Sequence, residues 1–273
     1  MSVNRRNTLK YYGRKIKWLY FRHTNGYLID VLKGWFCKSQ LSDYKQIPII
    51  INNRNQYTFL KMLIDWLVAH GYRNIIVLDN DSSYPPLLEY YRTLPHRIVF
   101  LKQNLGYMAL MKCDLYQEIK RDYFVYTDAD VVPIDECPCD FLDYFLSLLK
   151  KDRLLHKVGL SLRIDDLPDC YEHKNKVLVH ESKFYRKEVS AGVFEAPVDT
   201  TFALYRPFTK VSFYGWFYEK STTKHYRIGY PYQARHMPWY EDSANPSEES
   251  VYYRTHSSQQ THWTNKKSKA KTG

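Results

Sequence analysis

The sequence predicts an α/β fold, with a mostly parallel central sheet flanked by helices in a single main domain over residues 47–245. Three observations predict it. Short β-branched apolar runs alternate four times with segments of helical spacing between Ile47 and Asp130. Each of those four runs passes straight into a polar cluster at its carboxyl end. The chain, 273 residues long, 44% hydrophobic and 25% charged, has the material for one full core.

In order, Ile47–Ile51 reads as a buried strand and is followed by Asn52-Asn53-Arg54-Asn55. Phe59, Leu60, Leu63, Ile64, Trp66 and Leu67 then recur at helical spacing, and Gly71 closes that helix. A second strand, Asn74–Leu78, ends in Asp79-Asn80-Asp81-Ser82-Ser83, and Pro85 opens a short helix to Arg92. A third strand, Ile98–Leu101, leads to Gln103-Asn104-Leu105-Gly106, and Tyr107–Lys120 reads as one helix. A fourth strand, Tyr123–Tyr126, ends in Thr127-Asp128-Ala129-Asp130. Beyond it a helix is expected near Phe141–Lys150 and strands at Val158–Arg163 and Thr201–Tyr205. Residues 165–197 read as irregular, 206–245 as aromatic loops, and 246–273 as a polar, basic, mobile tail.

A net charge of +11 suggests a polyanion partner until it is placed along the chain. Residues 1–24 carry seven basic side chains and no acid, and residues 266–273 carry four and no acid. The remainder balances 29 basic against 29 acidic residues. The excess therefore sits on the ends, which argues against a nucleic-acid groove. Residues 1–46 form a basic, aromatic extension. Within it Leu9–Phe21 reads either as a basic amphipathic helix for an anionic membrane surface or as a helix packed on the main domain. No apolar run is long enough for a membrane span, and no signal-peptide pattern opens the chain. Five cysteines, Cys37, Cys113, Cys137, Cys139 and Cys170, form no disulfide framework. The expected location is cytoplasmic, with peripheral attachment to the inner face of a membrane as an extension of that reading.

Four polar clusters on one sheet edge mark a ligand crevice, because open α/β sheets bind ligands beyond the carboxyl ends of their strands. The glycine-rich fingerprints of dinucleotide and P-loop sites are absent from the sequence. Asp128-Ala129-Asp130 is the sharpest element. In an extended segment its two carboxylates share a side and repel each other unless a dication such as Mg²⁺ or Mn²⁺ lies beside them. The alternative is a solvated turn.

Val125-Tyr126-Thr127-Asp128-Ala129-Asp130-Val131-Val132-Pro133 resembles the D-x-D segment of GT-A (Rossmann-like) glycosyltransferases, close to family 2. Ile49–Asn55 resembles that family's first strand and nucleotide loop, Leu78–Ser83 its acidic second-strand loop, and Asn104–Tyr107 its N-x-G segment. The resemblance covers residues 47–205. It implies that Asn53, Arg54 and Asp79 contact the nucleoside and that Asn104 and Gly106 line the donor pocket. It also implies that Asp128 faces ribose or metal and that Asp130 ligates the metal, Mn²⁺ or Mg²⁺. Arg54 as a solvated charge, Asp79 as a turn acid and Asn104-Leu105-Gly106 as a plain turn remain open.

The downstream half departs from the family, lacking its Glu-Asp pair between Phe202 and Pro231. Two candidates for the general base remain: Asp199, immediately before a strand, and Asp242 of Glu241-Asp242. Arg235-His236-Met237-Pro238-Trp239-Tyr240 offers His236 as a third metal ligand, with Trp239 and Tyr240 to stack on an acceptor sugar. The expected activity is transfer of a hexose or N-acetylhexosamine from a nucleotide-diphosphate sugar, UDP favoured, to a glycan or lipid-linked glycan, with inversion. Competing readings are a sugar nucleotidyltransferase, which the absence of glycine from Asn52–Asn55 disfavours, and a basic surface-binding module.

Overall fold

The structure, a computed structural model, describes residues 27–198, 202–209 and 224–256, with the backbone alone for 27–31. Asp199, the Leu9–Phe21 segment and residues 257–273 lie outside the described residues.

Among the described residues ten strands form one sheet: β1 (Ile49–Asn53), β2 (Ile75–Asp79), β3 (Arg97–Phe100), β4 (Phe124–Asp128), β5 (Val131–Pro133), β6 (Leu155–Leu162), β7 (Glu188–Ser190), β8 (Val193–Glu195), β9 (Ala203–Tyr205) and β10 (Lys224–His236). The order is β3-β2-β1-β4-β9-β6-β10-β8-β7, with β5 paired to β10. Strands β3, β2, β1 and β4 are parallel. Strand β9 runs antiparallel to both β4 and β6, and β10 runs parallel to β6. Six central strands therefore share one direction around a single inverted one, so the sheet is mixed while its central strands mostly agree in sense.

Helices flank it: α1 (Tyr27–Phe36), α2 (Thr58–Ala69), α3 (Pro85–Thr93), α4 (Leu115–Ile119), α5 (Phe141–Lys151), α6 (Lys174–Glu181) and α7 (Glu248–His256). Alternation along β1 builds the two faces. Ile49 and Ile51 join Leu63, Leu67, Phe141 and Phe145 in the larger core, and Ile50 joins Ala109, Leu110, Leu115 and Tyr126 in the smaller.

Four expectations need correction. Tyr107–Lys120 is not one helix but a 3-10 segment, Gly106–Lys112, followed by α4, because Cys113 is extended between them. The apolar spacing misleads here because both short pieces bury residues against the same sheet face. Residues 165–197 contain α6 and the β7–β8 hairpin rather than irregular chain. Part of the supposed loop 206–245 is β10, a long inner strand of the sheet. Gly229 and Pro231 disguise it, and a register shift between Ile228 and Gln233 keeps Pro231 out of the ladder. The segment after Pro246 folds as α7 and docks. Its Glu249 accepts from Tyr57 N at 2.6 Å, from Thr58 N at 3.1 Å and from Thr58 Oγ1 at 2.6 Å. That carboxylate caps the amino end of α2, which has no cap of its own, with charge of the sign the helix dipole favours.

Candidate active site

The carboxyl ends of β1, β2 and β4 lie side by side, with Asn53 opposite Asp79 and Asn52 opposite Asp128. Two groups of side chains stand on this edge.

The first is a buried polar chain. Asn53 Nδ2 donates to the Tyr91 hydroxyl at 2.9 Å, and that hydroxyl donates to Asp79 Oδ2 at 2.9 Å. Asp79 Oδ1 accepts from Ser82 N at 3.1 Å, so Asp79 is also the turn acid of its loop. Burial and then the Asp79 charge push the Tyr91 phenol far up, so it stays a hydrogen-bond donor. Asn55 anchors the same loop, its Oδ1 accepting from Ser83 N at 2.6 Å and Tyr84 N at 3.0 Å. Asn80 clamps the next one. It receives Leu105 N at 2.7 Å and donates to the Gly106 carbonyl at 3.2 Å. Asn104 Oδ1 accepts from Gly106 N at 2.9 Å, and Gly106 sits at φ 70°, where a side chain would strain the turn. Asn104-Leu105-Gly106 is therefore a turn, held at the rim of the same edge.

The second group surrounds the acidic pair. Strand β4 ends at Asp128, so Asp130 belongs to the turn into β5 and strand alternation does not align the two carboxylates. Each is held separately. Asn52 Nδ2 donates to Asp128 Oδ1 at 3.2 Å, and Gln56 Nε2 donates to Asp130 Oδ2 at 3.1 Å. His236 pairs with Val131 across the β5–β10 ladder, and Met237 N donates to the Asp130 carbonyl at 2.8 Å. This brings His236 Nε2 to 3.6 Å from Asp130 Oδ2. A carboxylate oxygen and an imidazole nitrogen at that separation would suit a shared Mg²⁺ or Mn²⁺. Among the described residues no three His, Cys, Asp or Glu side chains form a metal-holding group. Asp128 is therefore not drawn into the Asp130–His236 pair.

The remaining expected residues have partners of their own. Arg54 is not a solvated loop charge: its Nη1 donates to the His256 carbonyl at 2.8 Å, at the carboxyl end of α7. Asp242 holds its own turn, accepting from Ala244 N at 2.9 Å and Asn245 Nδ2 at 2.7 Å. Those bonds keep its carboxyl below the usual range, which weakens it as a base. Trp239 is 1% exposed and belongs to the core, with its ring 4.6 Å from that of His236, so it offers no face to a sugar. The Tyr240 hydroxyl donates to Asp166 at 2.5 Å, and Asp166 also receives Arg235 Nε at 2.9 Å and Nη2 at 2.7 Å. This fastens the segment that carries His236. Sequence reasoning missed Asn52, Gln56, Asn80 and Tyr91. The first three lie within or beside the polar clusters, but Tyr91 comes from α3 and carries no local signal.

No family model and no curated protein matches the chain. Solved structures similar to it include two of glucosyl-3-phosphoglycerate synthase from Mycobacterium tuberculosis. One is a complex with phosphoglyceric acid and the other a complex with Mn²⁺ and uridine-diphosphate-glucose. Both share 15% identity, over 59% of this chain and 56% of theirs, with TM-scores of 0.35 and 0.32. The match spans little more than half of those proteins, and a likeness this remote leaves the site to be judged on its own geometry.

Proposed function

We propose that the chain is a metal-dependent glycosyltransferase that moves a hexose or N-acetylhexosamine from a nucleotide-diphosphate sugar, UDP favoured, to a glycan acceptor. The observation that carries this reading is the meeting of two unlike groups on one edge. The Asn53–Tyr91–Asp79 chain suits a nucleoside, and the Asp130–His236 pair braced by Gln56 suits a cation. Beside them the buried amide oxygens of Asn52 and Asn53 lack hydrogen-bond partners among the described residues. Buried acceptors left unpaired in this way invite a donor, and ribose hydroxyls or a base N–H would supply one.

In this reading the nucleoside lies against Asn53 and Asp79, and the 104–106 turn walls the donor pocket. Asp130 and His236 would hold Mn²⁺ or Mg²⁺, with Asp128 toward the ribose. When bound, the cation supplies positive charge to the departing diphosphate. Inversion requires a carboxylate to take the acceptor hydroxyl's proton. Asp199 is the candidate kept for that role, since Asp242 is committed to its turn. A lipid-linked glycan in polysaccharide biosynthesis, met at an anionic membrane surface, is the acceptor this reading favours.

Incubation with nucleotide-sugars and Mn²⁺ tests the reaction. Release of free nucleoside diphosphate is expected. Formation of a nucleotide-sugar from nucleoside triphosphate and sugar phosphate would instead identify a nucleotidyltransferase.

A further inference from the structure

At the opposite, amino edge of the sheet, four segments meet: α1, the loop into β4, the α5–β6 loop and the stretch after β9. Arg206 ties them together. Its Nε donates to the Leu155 carbonyl at 2.8 Å, and its Nη2 donates to the Asp152 carbonyl at 2.8 Å and to the Leu149 carbonyl. Helix α1 packs onto the same arginine through Gly34. A Cβ there would stand 2.5 Å from the Pro207 carbonyl oxygen and 3.6 Å from the Arg206 side chain. Cys37 Sγ donates to the Arg121 carbonyl at 2.7 Å, which joins the end of α1 to the loop before β4.

The outer surface of this edge is basic and apolar together. Lys33, Arg121, Lys150, Lys151 and Arg153 are exposed, and none makes an ion pair among the described residues. The nearby acids are occupied. Asp152 accepts from Lys224 Nζ at 2.6 Å, and Asp122 accepts from Gln40 N at 2.8 Å. On the same elements Leu32, Phe36 and Leu154 are exposed, at 48%, 72% and 61%. Leu32 and Phe36 are one helical turn apart, on the side of α1 away from Gly34. A surface of anionic headgroups over acyl chains suits both kinds of side chain, because cations neutralise the headgroups while apolar tips enter the interface.

We propose that this amino-edge face docks on an anionic lipid bilayer. The lysines and arginines would lie at the headgroups, with Leu32, Phe36 and Leu154 inserted between them. The basic residues 1–24 precede α1 in the chain and would add to the same attraction, but the face is defined by folded residues alone. The five residues of β4 put about 17 Å between this face and the carboxyl edge, so a lipid-linked acceptor would present its glycan, not its lipid, to the candidate donor site. The inference does not rest on the enzymatic reading, since docking is read without turnover.

Sedimentation of the full chain with vesicles tests it, using phosphatidylcholine alone and phosphatidylcholine containing phosphatidylglycerol. Binding is expected only to the anionic vesicles, and it should weaken steeply with salt. A Lys150→Glu, Lys151→Glu, Arg153→Glu triple variant should bind at least tenfold more weakly. A second variant, Phe36→Ser with Leu154→Ser, changes only exposed side chains and should also bind more weakly at equal charge. Circular dichroism of both variants should match the unaltered chain. Equal binding to neutral vesicles, no binding to anionic ones, or undiminished binding by both folded variants would overturn the proposal. In the last case, binding would belong to residues outside this face.

Discussion

At the scale of single residues, Tyr91 shows how the site economises on buried polarity. Its hydroxyl accepts from Asn53 and donates to Asp79, so one group joins two loops that sequence places 26 residues apart. Tyr91→Phe leaves a buried amide and a carboxylate each short of a partner. It should cost about 1–3 kcal/mol of stability in urea denaturation and weaken nucleotide binding. Unchanged stability and affinity would remove Tyr91 from the site. A second residue-scale prediction concerns pH. Burial, then the Arg206 and Lys157 charges, hold the His156 imidazole down to about 4, against 6.5 when exposed. A depressed histidine stabilises the fold fully above 6.5, and that contribution is lost as pH falls toward 4. Between pH 7 and pH 5 it should fall by about 2 kcal/mol. His156→Phe should flatten that part of the stability profile, and an unaltered slope would contradict the assignment. At this scale the sequence exposed the acidic pair and the polar loops, because each lies within a few residues of a strand end. It could not expose Tyr91 or Gln56, whose roles exist only once separate segments are folded together. It also misjudged Trp239, which lies in the core.

At the scale of elements, the first half of the fold was legible, as were α5, β6 and β9 beyond it, while α6, the β7–β8 hairpin, β10 and α7 were not. Strands β1, β2 and β4 open with apolar runs rich in β-branched and aromatic residues, buried on both faces, and α2 keeps clear 3.6-residue spacing. Strand β10 is charged, aromatic and broken by Gly229 and Pro231, so its burial depends on pairing partners that local sequence does not reveal. One such partnership is the ion pair between Arg227 of β10 and Glu181 of α6, 2.7 Å apart with side chains 3% and 5% exposed. Arg227 also stacks 4.1 Å over the Phe184 ring and donates to the Pro197 carbonyl at 2.6 Å. Glu181→Gln should therefore destabilise the protein by about 3–5 kcal/mol, because it strands a buried guanidinium. A loss below about 1 kcal/mol in chemical denaturation would mean that water or another group already compensates the charge.

At the scale of the whole molecule, one sheet presents two unlike ends. Its carboxyl edge gathers polar loops, an acid–imidazole pair and unpaired buried acceptors. Its amino edge gathers cations and exposed apolar side chains around Arg206. Helix α7 links distant parts of the first end, capping α2 through Glu249 and meeting Arg54 and Ser83. The central claim is that Asp130 and His236 hold a dication that makes donor binding metal-dependent. The most direct measurement is the thermal midpoint of the unaltered chain and of Asp130→Ala with UDP-sugars, each with and without Mn²⁺. A ligand bound only by the folded state raises the midpoint by mass action. The unaltered chain should gain its nucleotide-dependent rise only when Mn²⁺ is present, and Asp130→Ala should lose that rise while keeping its ligand-free midpoint. The same rise in both proteins, or one indifferent to Mn²⁺, would contradict the account.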